Sequence, residues 1–368
     1  MTKPTIQIIL TTVVLNLLSF GLMAQNCHIK GRVAVPGLQG KHISIMNMNT
    51  EKWLTSTKIV DSVFTLDFEV EEPFVGYLQT SPQTVGGRNY FYLRIVGEPG
   101  NIYADLVTDS LSGTPLNDQF YQYTIKCKKD NSIMDANISK LKEATSLPAR
   151  DKIAQQYQQR KQEYEDYLVK TYEANKNNPM GALVMEDLLE ETEIDYDKAV
   201  KLLEGAAPVV TTYNNLRKKL SSLEKLSNTA PGKPFVDLDL TDNKTGKPIK
   251  LSKVIKGKVA LIDFWASWCG PCRREIPNLA KIHEKYGNNK DFVLISLNVW
   301  DKPEPRTQAI KDMKMVWTQL TDATRNATDT YGVDGIPQIL LIDKDGTIIA
   351  RDLRGEEIEK AVKKALGK

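Results

Sequence analysis

The stretch Trp265–Cys272 reads WASWCGPC and places two of the chain's four cysteines, Cys269 and Cys272, with only Gly270 and Pro271 between them. Thiols at that spacing can hold a metal, reduce a peroxide, or exchange disulfides with another protein. A structural zinc site needs four soft ligands, usually from a second Cys or His pair. The rest of the chain offers Cys27, Cys127 and three histidines, His28, His42 and His283, in no matching pair, so no metal site is expected. Disulfide exchange suits the local physics better. The pair sits where an apolar strand ends and a helix begins, and the positive end of a helix favours a thiolate at Cys269. Only the thiolate attacks. Cys272, one turn later on the same face, can resolve the mixed disulfide, and Pro271 suits a first helical turn whose N–H is not needed. A purely structural disulfide is the bland alternative, in so short a loop flanked by two tryptophans.

The elements that must hold this pair follow an α/β pattern. VALIDFW (Val259–Trp265) is a continuous apolar strand, a helix runs from about Cys269 to Tyr286, and FVLISLNV (Phe292–Val299) is a second buried strand. A helix from about Glu304 to Met313 follows. QILLID (Gln338–Asp343) and TIIARDL (Thr347–Leu353), joined through Lys344-Asp345-Gly346, read as an antiparallel hairpin, and EEIEKAVKKAL closes the chain as a helix. This order predicts a mixed sheet with helices on both faces. Upstream, the runs VFTLDFEV (Val63–Val70), HISIMNM (His42–Met48) and FYLRIV (Phe91–Val96), punctuated at Pro36-Gly37, Gly86-Gly87 and Pro99-Gly100, predict a small antiparallel β domain, a sandwich, over 27–115. Over 116–228 the periodicity becomes helical. Ala149–Lys176 lacks Pro and Gly and carries Ile153, Tyr157, Tyr164, Leu168 and Tyr172 on one face, a core-packing stripe. Pro179 opens a further helix, and Asp195 caps another that Gly205 closes. SNTAPGKP (Ser227–Pro234) has the composition of a linker before a final domain over 230–368. The fold class is thus multidomain: an N-terminal antiparallel β domain, a helical middle region and a C-terminal α/β domain.

LIDFWASWCGPCRREIP resembles the active-site segment of the thioredoxin superfamily, and specifically of the TlpA-like and ResA-like secreted thiol:disulfide oxidoreductases. The resemblance covers Ala230 to the end, over a third of the chain. It implies a thioredoxin fold with Cys269 as the nucleophile and Cys272 as the resolving thiol, together forming the redox-active disulfide. It places Asp263 where thioredoxin has a buried acid beneath the pair, able to accept the Cys272 proton, and Glu275 where ResA-like members set a carboxylate near their thiols, a second candidate proton acceptor. Pro277 matches the proline that kinks the active-site helix. YGVDGIPQILLIDKDG (Tyr331–Gly346) resembles the segment whose proline, here Pro337, follows a cis bond and faces the cysteines. Trp268, Gly270, Pro271, Ile336 and Pro337 are the expected substrate-binding residues. Gln338 departs from the Thr usual after that proline, which bears on substrate preference. The Gly270-Pro271 pair matches reducing thioredoxins, so the expected direction is reduction of client disulfides, apocytochromes among the possible clients, with a membrane electron donor for recharging and no cofactor. The stretch from CHIKGRV to SGTPLNDQFYQY resembles a β-rich domain that precedes thioredoxin modules in Bacteroidetes secreted proteins, whose role that resemblance does not assign.

Two other functions stay open. A thiol peroxidase of the alkyl hydroperoxide reductase/thiol-specific antioxidant type carries Thr or Ser three residues before its cysteine; here that position is Ala266, and Ser267 is one residue off. A redox-sensing binding protein with little turnover would bind partners according to the state of the pair. The whole chain bounds the rest. Its 368 residues suggest two or three domains, and 41% hydrophobic and 26% charged residues are ordinary for globular protein. Lys+Arg total 49 against Asp+Glu 46, so no strong basic field invites nucleic acid. Lys3 and the apolar run Ile6–Ala24 read as a signal peptide over 1–24, with an uncleaved membrane anchor and lipidation of Cys27 as competing readings. Each takes the body of the protein out of the cytoplasm, to the periplasm, where Cys27 and Cys127 could pair with each other or stay as two thiols.

Overall fold

The computed structural model describes residues 25–81, 91–322 and 324–367. The apolar segment Ile6–Ala24 and the Gly86-Gly87 turn lie outside the described residues. The chain divides into two compact units, one of residues up to Leu188 with Ala206–Asn214, the other of Leu189–Gly205 with Asn215–Lys368.

In the first unit the β-rich region has eight strands: β1 Gln25–Arg32, β2 His42–Asn47, β3 Lys52–Lys58, β4 Val63–Val70, β5 Phe74–Thr80, β6 Tyr92–Gly97, β7 Gly100–Asp105 and β8 Ser110–Ser112. They make two four-stranded sheets, ordered β4-β1-β7-β8 and β3-β2-β5-β6. The alternation in β4 turns Phe64 and Leu66 inward and Thr65 and Asp67 outward, as a half-buried strand must. One pairing departs from the antiparallel expectation: β1 and β7 run parallel, with Cys27 opposite Gly100. Periodicity reports which face a strand buries. It carries no signal for the direction of a partner reached only after five intervening strands.

Helices follow: α1 Pro115–Glu143, α2 Leu147–Asn175, α3 Pro179–Glu191, α4 Tyr196–Leu203, α5 Pro208–Thr211 and α6 Asn214–Asn228. In α2 the apolar stripe buries Tyr164, Leu168 and Tyr172 toward the C-terminal end, while Ile153 and Tyr157 stay half-buried. Helix α3 is buried on every side from Met180 to Leu189, acids included. Buried carboxylates need partners. Arg94 donates to Asp187 at 2.7 Å, Tyr123 to Asp187 at 3.0 Å, and Tyr213 to Glu186 at 2.8 Å. The Asp195 side chain caps α4 by accepting the Lys198 N–H at 2.8 Å. Cys27 and Cys127 are both buried and make no disulfide.

The second unit carries the α/β domain: β9 Asp239–Asp242, β10 Pro248–Lys250, α7 Leu251–Ile255, β11 Val259–Trp265, α8 Gly270–Tyr286, β12 Phe292–Asn298, α9 Pro303–Asp312, β13 Thr318–Thr321, α10 Asn326–Tyr331, β14 Gln338–Ile342, β15 Ile348–Ala350 and α11 Glu356–Ala365. Its seven strands order as β10-β9-β13-β12-β11-β14-β15. Central β11 runs parallel to β12 and antiparallel to β14. All seven β11 residues are buried because both faces are covered. Val259, Leu261 and Trp265 pack with the α8 and α11 residues Ile276, Leu279 and Ile358, whereas Ala260, Ile262 and Phe264 pack with Leu251 and Tyr331 on the other face. Composition reads 227–234 as a linker, yet Ser227 and Asn228 complete α6, and this end is fastened down. Arg351 donates to the Thr229 carbonyl at 3.0 Å and to the Tyr331 carbonyl at 2.8 Å.

Candidate active site

Strand β11 ends at Trp265, and α8 starts five residues later with Cys269 as its N-cap. An N-cap residue is extended and turns its side chain back onto the first free N–H groups of the helix. Here the Cys269 sulfur accepts the backbone N–H of Cys272 at 3.1 Å. The two cysteines are joined as a disulfide with their Cα atoms 5.3 Å apart. Cys269 is 3% exposed and Cys272 1% exposed, and both belong to the core cluster between α8 and β11. Gly270 and Pro271 form the exposed first turn of α8, and an added Cβ at Gly270 would meet only Arg274 Nη1, at 3.7 Å.

The loop between α10 and β14 brings in the second wall. The Ile336–Pro337 peptide bond is cis, and the Ile336 carbonyl oxygen lies 3.6 Å from the Cys269 sulfur. Ile336 thus adjoins the Cys269 sulfur, and the guanidinium of Arg354 donates to the Pro337 carbonyl. A cleft of about 420 Å³ adjoins this loop, lined among others by Asp334, Gly335, Gln338 and Arg354.

Asp263 lies on β11 between Leu261 and Trp265 on the face that packs against α8, by the two-residue period of a strand. It is 1% exposed. Burial pushes its carboxyl from 3.8 up to about 7; the Ser296 hydroxyl pulls the other way, the negative charge of Glu275 adds to the rise, and Arg354 opposes it. Ser296 Oγ on β12 donates to Oδ2 at 3.2 Å, and Oδ1 is buried with no hydrogen-bond partner. Glu275, half-buried on α8, accepts the Gly355 N–H at 3.0 Å and Asn278 Nδ2 at 2.9 Å, which holds it between α8 and the start of α11.

Trp268 stands on the rim, 61% exposed, with its indole N–H donating to the Trp300 carbonyl at 2.9 Å. Beside it the Ser267 N–H and hydroxyl donate to Asp301 at 2.6 and 2.9 Å, and Asn298 Nδ2 donates to the same carboxylate at 3.0 Å. Partial burial raises the Asp301 carboxyl, but these hydrogen bonds outweigh it and hold the group below the usual carboxylate range. The loop before α8 and the loop after β12 are thereby locked together. Sequence reasoning missed Asp301, Ser296 and Arg354. Ser296 left one readable trace, a polar residue inside the otherwise apolar FVLIS segment of a buried strand. Asp301 and Arg354 left none, because the bonds that tie them to this site, to Ser267 and to the Pro337 carbonyl, join residues far apart in sequence.

A model of the Redoxin family matches residues 230–366. The thiol-disulfide oxidoreductase ResA of Bacillus thuringiensis subsp. konkukian is 30% identical over 158 residues, which span 43% of this chain and 86% of that protein. The chain belongs to the TlpA/ResA-like thioredoxin superfamily. Another relative, the thiol:disulfide interchange protein HelX of Rhodobacter capsulatus, is 32% identical over 120 residues, 32% of this chain and 57% of that protein. Among solved structures, the thioredoxin domain of a thiol-disulfide oxidoreductase from Bacteroides vulgatus is 31% identical, covering 37% of this chain and 96% of that one with a TM-score of 0.34. The activity of this TlpA/ResA-like chain is thiol–disulfide oxidoreduction. No helix among the described residues is long and apolar enough to cross a membrane.

Proposed function

We propose that the protein is an exported, periplasmic reductase of protein disulfides that works by mixed-disulfide exchange through Cys269 and Cys272. The observation that carries this reading is the placement of the pair: Cys269 caps the α8 N-terminus with its sulfur beside the Ile336 carbonyl, while Cys272 is buried in the first turn of α8, the helix that packs on the β11 face. In the reduced protein, the Cys272 N–H and the positive end of α8 favour a thiolate at Cys269. That thiolate attacks one sulfur of a client disulfide, and the client's other sulfur leaves as a thiolate and takes up a proton. Trp268, Gly270, Pro271, Ile336 and Pro337 form the surface that receives the client. Cys272 then gives its proton to Asp263, with Glu275 as a second acceptor nearby, and attacks the Cys269 sulfur. The client departs with both sulfurs reduced, and the protein is left with the Cys269–Cys272 disulfide.

Two electrons have passed to the client, so a membrane dithiol donor must restore the pair by the reverse exchange. The Gly270-Pro271 pair supports reduction as the working direction, because neither residue adds a charge that would trap the thiolate and make the pair oxidising. Export rests on the apolar segment Ile6–Ala24, as a cleaved signal or an anchor. Suitable clients are exported proteins with wrongly oxidised cysteines, including apocytochromes whose haem-binding cysteines have paired. The test is Cys272→Ser in the full chain: it should accumulate clients as mixed disulfides on Cys269, resolved on non-reducing gels and released by dithiothreitol. If no covalent partner accumulates in reducing-competent cells, the exchange reading fails.

A further inference from the structure

We propose that Ser296 and Trp317 are positioning residues that fix a single proton donor on Asp263 Oδ2 and so reserve Oδ1 as the atom that exchanges a proton with Cys272. The proposal rests on the reading of Asp263 as the proton acceptor.

Three buried polar side chains meet here, where each donor and acceptor must find its partner within the protein. Ser296 is 0% exposed, Asp263 1% and Trp317 6%. Trp317 Nε1 donates to Ser296 Oγ at 2.9 Å, and Ser296 Oγ lies 3.2 Å from Asp263 Oδ2. An indole N–H can only donate, so it occupies a lone pair of the serine oxygen and leaves the hydroxyl one proton to place. That proton points to Oδ2. A neutral serine alone could turn its hydroxyl either way, donating to a carboxylate or accepting from a carboxylic acid. With Trp317 on one of its two lone pairs the hydroxyl is biased toward donating, and a donor at that place favours the ionised carboxylate. Oδ2 is then the poorer place for a proton, and the proton goes to Oδ1, the buried oxygen with no partner. The step balances simply: the Cys272 S–H proton moves to Oδ1, and the sulfur keeps the electron pair with which it attacks Cys269.

Other groups act on the same carboxyl. Glu275, from α8, raises its proton affinity and Arg354, from the start of α11, lowers it. His283 packs its ring against Trp317 with centroids 5.7 Å apart, supporting the indole from α8. The Ser296–Trp317 pair differs from these in acting through one oriented bond on one oxygen.

The test is the titration of the Asp263 side-chain carboxyl in the oxidised full-length protein, followed by ¹³C NMR, beside the pH profile of disulfide reduction. Ser296→Ala deletes the donor and should move the Asp263 midpoint upward by about one pH unit or more, with the matching limb of the activity profile. Trp317→Phe leaves the serine free to turn and should move it in the same direction by less. Ser296→Thr keeps the hydroxyl and should restore the wild-type midpoint. If Asp263→Asn leaves the activity limb in place, the acceptor reading itself fails. If Asp263→Asn abolishes the limb but neither Ser296→Ala nor Trp317→Phe moves the carboxyl midpoint, the positioning proposal alone is overturned.

Discussion

Asp263 shows what burying one acid costs the fold. Its folded pKa of about 7 stands above its ordinary value of 3.8, so across that window the folded state holds a proton that the unfolded state has lost. Folding therefore loses stability as pH rises from about 4 through about 7, and the loss levels off above that. The full difference amounts to on the order of 4 kcal/mol at neutral pH and above. Asp263→Asn should erase that slope: its melting temperature should be nearly equal at pH 5 and pH 8 and should exceed the wild type's at pH 8. A wild type equally stable at both pH values would contradict the buried, protonated acid. At this scale WASWCGPC was legible at once, because a local motif supplies its own capping geometry. Ser296 and Trp317 were not, since their roles exist only once β12 lies beside β11 and the segment entering β13 folds over it.

At the scale of elements, long apolar or strictly periodic segments announced themselves. Strands β4, β11 and β12, helix α2, the β14–β15 hairpin and the Asp195 cap of α4 all lie where their patterns place them. Strands β9, β10 and β13 went unread because each spans three or four residues of mixed polarity, too few for any period to emerge. The parallel pairing of β1 with β7 was equally silent, as direction is a property of the sheet. Close packing of elements also leaves steric marks that appear only in the folded chain. In the first turn of α3, a Cβ at Gly181 would sit 2.3 Å from the Asn175 carbonyl oxygen, a backbone atom that cannot swing away. Gly181→Ala should therefore destabilise this helical layer by about 1–3 kcal/mol, seen as a lower urea midpoint. An unchanged midpoint would mean that the α2–α3 junction is looser than its packing indicates.

For the whole molecule, composition drew the last boundary near Ala230, where the Redoxin match also begins. The contacts of the chain draw it earlier, since residues from Asn215 onward cluster with the thioredoxin-like unit. The physical reason lies in side chains that composition cannot weigh: Gly332, held at φ 59°, lets Leu226 approach closely, and Arg351 clamps the Thr229 carbonyl. A chain beginning at Ala230 should consequently melt several degrees below one beginning at Asn215, in parallel calorimetric scans. Equal melting temperatures would show that α6 adds nothing to this unit. One further feature matters to a molecule that trades electrons for a living. Any second thiolate in the same chain would offer a short circuit, diverting a mixed disulfide into an internal dead end. Burial pushes the Cys27 thiol up to about 12, with the nearby charges of Glu98 and Asp67 adding to the rise, so in neutral surroundings it stays a thiol and does not attack. The β sheet that encloses Cys27 thus keeps this one thiol apart from the exchange expected at the start of α8.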